Sequence, residues 1–389
     1  MTLGNRPHIL ILPRWYPSRK DTMTGIFVQL QAEALAVNFE VSVLYVLPDP
    51  DCPNDMETEL SVENRVQVIR VFYRTTGNDL DRWYRFYRAH MNGLRLLDGN
   101  PPDLVHVHVL TREGVMGYLI ARKFRVPYVI SEHWSRYYPA NDFYKGFVRK
   151  RATEFVVAKA AALLPVSAKL MKAMMAKGIT HPECHIVPNV IDTTLFRPSL
   201  LIPETEQKTI VHVSCFDDRS KNITGLLDAV KKVSSERNDF VLRLIGTGPD
   251  LERMKRYAEK AGLEGTLVVF AGLKNPDEVA EEYRNADFSL VSSRYETFGS
   301  VIIESLACGT PVLATDTGIA SEVLGPHNGL IVRPDDTNEL SDGILRMLDI
   351  CRSFDRNTVS RSVAEAYTPE GVVRRIASIY DRILQKSNV

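Results

Sequence analysis

Residues 292–318 read SSRYETFGSVIIESLACGTPVLATDTG. The run FSLVSS at 288–293 leads into this stretch with apolar residues that do not alternate strictly with polar ones, as expected of a strand buried on both faces of a parallel sheet. A polar turn, RYETFGS, follows; then comes a short apolar segment at helical spacing, a stop at Gly309, and a second strand run from Pro311. Strand, turn, helix and strand make one βαβ unit. Its helix begins between two glutamates, Glu296 and Glu304, where unsatisfied amide groups attract phosphate or sugar oxygens. An ionised carboxylate only accepts hydrogen bonds and suits vicinal hydroxyls such as those of a ribose or hexose. Taken singly, Glu296 as a surface cap and Glu304 as an exposed helix residue are equally ordinary readings.

The same alternation extends in both directions. Upstream lie HILIL, VSVLYVL, VQVIRVF, DLVHVHV, PYVIS and ALLPVS, with helical patterns such as TGIFVQLQAEALAV between most of them. Residues 192–208, DTTLFRPSLLIPETEQK, interrupt the rhythm with two prolines and clustered polar groups, the composition of a linker. TIVHVS, FVLRLIG, TLVVFAG, FSLVSS, PVLATD and NGLIVRP then resume it. The chain reads as α/β, with two doubly wound parallel-sheet domains in series at 1–195 and 196–368. A terminal amphipathic helix within 369–389 places Val372, Ile376, Ile379, Tyr380 and Ile383 on one face.

Composition bounds the function. A chain of 389 residues exceeds one core, and 44% hydrophobic with 25% charged residues supplies material for two. Net charge is zero, but residues 1–200 carry 25 basic against 19 acidic side chains and the remainder 23 against 29. The excess fits either an anionic partner for the first half or two domains of opposite sign. No long basic run accompanies a nucleic-acid module, so no nucleic-acid partner is expected. The five cysteines are scattered and never form CxxC, which reads as a reduced, cytosolic chain. No apolar run is long enough to span a bilayer.

In open parallel sheets, ligands bind outside the carboxyl ends of the strands. Lys221, with Arg219 two residues before it, falls after the first strand of the second half. A cation there can hold a diphosphate or be part of a solvated pair. His133, after the fifth strand run of the first half, can hydrogen-bond a sugar hydroxyl, act in proton transfer, or cap its own loop. GTGP at 246–249 permits close backbone approach but is not the dinucleotide fingerprint, which argues against a nicotinamide dehydrogenase. His106 and His108 share a strand face, but no third ligand is in view, and no metal is expected.

In this order, GIFVQLQAEAL, SEHW, VPNVIDTTLFRP, a strand followed by KN, GTGP, RYETFGSVIIESLACGTPV and TGIASEVL resemble the retaining glycosyltransferases of family 4. The resemblance covers nearly the whole chain and is weakest from 46 to 101. It implies the GT-B fold: two Rossmann-like domains facing an interdomain cleft, with a C-terminal helix crossing back to the first. It also implies roles. Glu304 would bind the nucleotide ribose and Glu296 the donor sugar. Thr297 and the backbone amides of Phe298, Gly299 and Ser300 would meet sugar and phosphate. Lys221 would hold the diphosphate, Gly25 and Gly246 would let the backbone approach the donor, and Leu273 or Lys274 would meet the base. His133 would contact the donor sugar near the reaction centre, forming with Glu296 and Lys221 the catalytic set. Where the family has glycine then arginine, this chain has Ser214 and Cys215, and Arg219 is expected to reach the diphosphate instead.

The implied activity is transfer of a sugar from a UDP- or GDP-sugar to a hydroxyl of a lipid-linked or cell-surface glycan precursor, with retention and without metal or other cofactor. A nucleotide-sugar epimerase of similar fold and a non-catalytic nucleotide-sugar-binding protein are the alternatives. Aromatic residues beside cations at 81–90 and 143–152 fit either docking on an anionic membrane surface from the cytoplasmic side or solvated amphipathic helices.

Overall fold

The computed structural model describes residues 6–75, 77–97, 99–141, 143–199, 206–363 and 365–387. Residues 200–205 of the expected linker lie outside the described residues. Contacts divide the chain into one unit of Met1–Tyr137, Asp142–Val190 and Pro369–Val389, and a second of Tyr138–Asn141 and Ile191–Thr368. The division falls slightly before residue 195. Ile191 N donates to Tyr367 O at 2.9 Å, and the Phe196 ring packs 6.3 Å from Tyr283, so both are tied to the second unit.

The first unit carries strands β1 (His8–Pro13), β2 (Glu40–Pro48), β3 (Met56–Glu63), β4 (Val66–Tyr73), β5 (Leu104–His108), β6 (Tyr128–Glu132) and β7 (Ala162–Pro165). Between them run α1 (Ile26–Leu35), α2 (Asp79–Leu94), α3 (Arg112–Phe124) and α4 (Phe147–Lys159), with α5 (Ala168–Ala176) after β7. The sheet order is β3-β4-β2-β1-β5-β6-β7. All pairs are parallel except β3 with β4. β1, β5 and β6 are buried along their whole length, which is why they read as continuous apolar runs. The sequence reading did not include β3. Its METELSVE alternates and is half-exposed, the pattern of an edge strand.

The second unit has six parallel strands, β8 (Lys208–Val213), β9 (Phe240–Ile245), β10 (Val268–Gly272), β11 (Phe288–Val291), β12 (Val312–Thr315) and β13 (Gly329–Val332). Its helices are α6 (Asp218–Lys221), α7 (Ile223–Val233), α8 (Leu251–Lys260), α9 (Pro276–Asn285), α10 (Ser300–Ala307), α11 (Ala320–Val323), α12 (Thr337–Ile350) and α13 (Arg356–Arg361). The order β10-β9-β8-β11-β12-β13 is the doubly wound one, and the winding reverses between β8 and β11. In the first sheet the corresponding reversal lies between β1 and β5.

The last helix, α14 (Pro369–Ser387), returns to the first unit. Val372, Ile376, Ile379 and Tyr380 are buried in its core and Ile383 packs against it, the face expected from their spacing. The Tyr380 hydroxyl reaches His106 Nδ1 on β5 at 2.6 Å, and its ring meets Phe39 edge-on at 5.4 Å. Among the described residues, no helix is long and apolar enough to cross a membrane.

Tyr380→Phe keeps the packing and removes that hydroxyl, leaving His106 Nδ1 buried without its partner. The expected cost is about 1–3 kcal/mol. Trp15, Trp83 and Trp134 all lie in the first unit, so tryptophan fluorescence during urea unfolding isolates its midpoint. An unchanged midpoint contradicts a stabilising role for this bond.

Candidate functional site

In the second unit, the switch point between β8 and β11 collects most of the expected residues. After β8 the chain forms the single turn α6, with the Asp217 side chain accepting from Arg219 N at 3.2 Å and from Ser220 Oγ at 3.0 Å. Asn222, at φ 52°, ends that turn and leads into α7. Lys221 at the end of α6 donates through Nζ to Glu296 Oε1, and Ser293 Oγ donates to the same oxygen at 2.9 Å. Both members of the ion pair are mostly shielded, with side chains 18% and 13% exposed. Burial works to lower the Lys221 pKa, but the charge and hydrogen bond of Glu296, together with Cys215 and Asp217 nearby, outweigh it, and the ammonium is held above its usual value.

This pairing depends on Arg294. Its guanidinium donates to the Asp218 carbonyl, to Asn222 Oδ1 at 2.6 Å and to Asp335 Oδ1 at 2.6 Å. Arg294 N donates to Ser220 O at 2.7 Å, and Ser292 Oγ to Lys221 O at 2.8 Å. The loop after β11 is thereby strapped to α6 on the neighbouring strand's loop. The sequence reading passed over Arg294, although its place two residues before Glu296 in SSRYETFG was a signal.

Glu296 is followed by Thr297, buried Phe298 and Gly299. Gly299 precedes α10 in the left-handed region at φ 91°, and no side chain caps that helix. The turn is braced from β12: Ile319 N donates to Phe298 O at 2.9 Å, and a Cβ on Gly318 would lie 2.2 Å from that same oxygen. Ser300 opens α10, and Glu304 lies just over a turn into it. Burial alone pushes the Glu304 carboxyl up to about 7, with no cation or donor among the described residues offsetting it. Glu304 is half-buried, so donors brought by a ligand would add to what solvent supplies and favour its anion.

Other expected residues have different surroundings. A Cβ on Gly246 would lie 2.0 Å from Ser214 O, and one on Gly248 2.5 Å from Phe216 N. The packing of two strand-edge loops therefore already requires glycine in GTGP. Lys274 lies 3.3 Å from Glu282, which also binds Arg243 through two 2.7 Å bonds, while Leu273 is 67% exposed. Of the two base-contact candidates, Leu273 is the one presented to solvent. Arg219 is exposed, with its guanidinium 3.4 Å from Ala140 O in the short segment grouped with this unit.

In the first unit, Gly25 precedes α1 at φ 80°, and a Cβ there would lie 2.3 Å from the Trp15 carbonyl. The same glycine that suits ligand approach is thus required by the Trp15–Tyr16 backbone. His133 is buried, and its Nε2 meets His108 Nδ1 at 3.1 Å with the rings stacked 12° from parallel. Phe27 packs against it at 4.6 Å. Its Nδ1 makes no hydrogen bond of good geometry, although the Asn189 side chain beside it partly offsets burial. Burial pushes His106 and His133 down to about 3 and His108 well below its usual value. Burial thus keeps His133 neutral, and in this arrangement it is placed as a hydrogen-bonding group.

Glu132, whose signal was its place beside His133, is a scaffold for that loop. Its oxygens accept from His133 N (2.8 Å), Trp134 N (2.9 Å), Leu110 N (3.0 Å) and the Tyr137 hydroxyl (2.9 Å). Among the described residues, no group of three or more His, Cys, Asp or Glu side chains is arranged to hold a metal ion.

The family described as Glycosyl transferases group 1 matches residues 192–360, and that described as Glycosyl transferase 4-like domain matches residues 24–190. TuaC, a putative teichuronic acid biosynthesis glycosyltransferase of Bacillus subtilis, is 24% identical over 358 residues, 87% of this chain and 88% of its own. The fold is that of the GT-B glycosyltransferases. A sucrose-phosphate synthase from Thermosynechococcus elongatus superposes with a TM-score of 0.78 at 20% identity, over 98% of this chain and 100% of that one. HepE of Anabaena, solved with UDP and glucose, gives 0.72 at 16% identity over 97% and 100%.

Glu304 supplies a test of the site. Its raised pKa means that the folded chain binds more protons than the unfolded chain between about pH 4.5 and 7. Stability therefore falls as pH rises through that window. Glu304→Gln escapes this and should be more stable than the parent at pH 8, by about 1–2 kcal/mol, with the gain gone near pH 4.5. Thermal melts at both pH values read the difference, and a variant less stable at pH 8 contradicts an unpaired carboxyl.

Proposed function

Because the chain belongs to the Glycosyl transferases group 1 family and is a glycosyltransferase, we propose the particular reaction: transfer of a sugar from a UDP- or GDP-sugar to a hydroxyl of a lipid-linked or cell-surface glycan precursor, with retention of anomeric configuration. The observation that carries it is the grouping of Lys221, Glu296, the uncapped start of α10 and the unpartnered Glu304 at one switch point. Each group suits a different part of a nucleotide sugar. Lys221 and the α10 amides meet the diphosphate, Glu296 the sugar hydroxyls and Glu304 the ribose.

Breaking the anomeric bond loads negative charge onto the departing nucleoside diphosphate, and fixed cations and amide dipoles stabilise it where it develops. That the Lys221 ammonium is held protonated by its neighbour supports this assignment. The reading calls on no metal or other cofactor. An arriving diphosphate would draw Lys221 toward itself and free Glu296 for the sugar.

The test is a panel of UDP- and GDP-sugars, with UDP-glucose first because HepE is solved with UDP and glucose. Products are followed by mass spectrometry with and without cell-envelope lipid and glycan extracts, and the product anomer by NMR. Donor-dependent mass addition to an acceptor is expected. Isomerised donor without addition points instead to an epimerase, and binding without turnover to a binding protein. Glu296→Gln should lose about 10- to 100-fold in turnover, the value of one charge-assisted hydrogen bond, and should also melt lower because the shielded Lys221 ammonium loses its counter-charge, so turnover is compared below the melt of the variant. Parental turnover at subsaturating donor contradicts the site.

A peripheral, cytoplasmic-face location is part of the same reading. Phe147 and Val148 at the start of α4 are 73% and 80% exposed, beside Lys150, Arg149 and Arg151. Arg82, Arg85 and Arg88 on α2 are paired with Asp79, Asp81 and Asp55, and on α4 Arg151 is paired with Glu154 at 3.2 Å. An apolar tip ringed by cations fits an anionic bilayer. Flotation with anionic liposomes should carry the protein into the lipid layer at physiological salt, and Phe147→Ser with Val148→Ser should leave it at the bottom. Absence of the parent from the lipid layer rejects the docking.

A further inference from the structure

β3 closes one end of the first sheet, and only one of its two sides is paired. It runs antiparallel to β4 in unbroken register, from Met56 opposite Tyr73 to Glu63 opposite Val66. The two residues between them, Asn64 at φ 47° and Arg65 at φ 70°, have the positive angles of a type I′ hairpin, whose flanking residues exchange hydrogen bonds. Glu63, Ser61, Glu59 and Glu57 therefore commit their amides and carbonyls to β4. The same phase holds at the far end, where Arg74 N donates to Asp55 O at 3.1 Å. Met56, Thr58, Leu60 and Val62 turn theirs outward, and none of these groups has a backbone partner among the described residues.

Proteins protect such an edge with shortness, proline, a bulge or exposed charge, because open backbone invites another strand. β3 has eight residues, no proline and no bulge. Its charges lie on one face and are matched within the chain: Arg19 binds Glu57 at 2.8 Å and Glu59 at 3.0 Å, and Arg70 binds Glu63 at 2.6 Å. The other face alternates with them and carries Met56, Thr58, Leu60 and Val62. α2 covers only the start of that face. Asn92, near its end, donates to Thr58 Oγ1 at 3.2 Å, and the helix stops at Leu94. Leu60 and Val62, farther along, are 53% and 76% exposed.

Amides and carbonyls left open at strand spacing are satisfied together by another strand. A second copy of this chain supplies one that matches. Laid antiparallel about a two-fold axis at Leu60, β3 meets its own mate in hydrogen-bonding phase, because each outward residue then stands opposite an outward residue. Leu60 meets Leu60 of the second copy and Val62 meets Thr58, so the exposed apolar side chains cover one another. On the opposite face Glu59 meets Ser61. Glu57 meets Glu63, each with its own arginine, so no unneutralised like charges are opposed. Those matched charges also leave nothing on this edge to select a charged segment of another protein. We propose that the β3 edge is a self-association surface, on which two copies join their first-unit sheets into one continuous sheet centred on Leu60.

Light scattering after gel filtration of the full chain should give the mass of two chains at tens of micromolar and move toward one on dilution. Leu60→Lys with Val62→Lys puts charge on the open edge and should raise the dissociation constant about tenfold or more. Both side chains are exposed, so far-UV circular dichroism should not change. Leu119→Lys is the control: that residue is 40% exposed on α3, which packs on β5 and β6 rather than near β3, and the parental dissociation constant should be kept. Mates in a hydrogen-bonded antiparallel pair stand about 5.5 Å apart at Cα, within disulfide reach. Leu60→Cys oxidised with copper phenanthroline should therefore give an intermolecular disulfide between the two substituted positions, identified by mass spectrometry. A parent that stays monomeric at these concentrations, a dimer indifferent to the two lysines, or a Leu60→Cys chain that does not cross-link there overturns the proposal. The first of these would leave the edge to an extended segment of another protein.

Discussion

The ion pair between Lys221 and Glu296 is the contact on which the donor-side geometry depends. It closes two loops that leave adjacent strands, β8 and β11, at the point where the sheet reverses its winding. A single lysine near a single glutamate at a surface is worth little. Here the pair is largely shielded, and Arg294 ties the same two loops together through Asp218, Asn222 and Asp335. The result is a preformed arrangement in which a cation, a carboxylate and an open helix start are positioned before any ligand arrives.

Three carboxyls at strand edges illustrate how environment assigns work to one residue type. Glu132 is fully buried and fully satisfied by backbone amides and a tyrosine, so it shapes a loop. Glu296 has a lysine and a serine but keeps a partly exposed face. Glu304 has burial without donors, and its pKa rises to about 7. Satisfied carboxyls are structural; those short of partners are where a ligand carrying hydroxyls gains most.

The histidines show the converse. His106, His108 and His133 stack across β5 and β6 with Tyr380 behind them, and burial keeps all three neutral. A neutral imidazole whose other nitrogen faces a neighbouring histidine is a fixed hydrogen-bonding group.

The sequence by itself determined the two parallel sheets, their strands and the amphipathic return helix. Strands buried on both faces leave continuous apolar runs, and a helix with one buried face leaves a 3.6-residue period. It failed at β3, because an edge strand with one wet face leaves only weak alternation. The motif order also picked out Lys221, Glu296 and Glu304 one at a time. What only the tertiary structure decided is which of them meet. Lys221 and Glu296 are 75 residues apart and touch because the strand order puts β8 beside β11, a pairing that no local pattern encodes. For the same reason Arg294 emerged as a clamp, Lys274 was drawn to Glu282, and Gly246 proved to be required by Ser214. Local periodicity is written by burial along one segment, whereas partners, satisfaction and charge state depend on neighbours that only the folded sheet brings together.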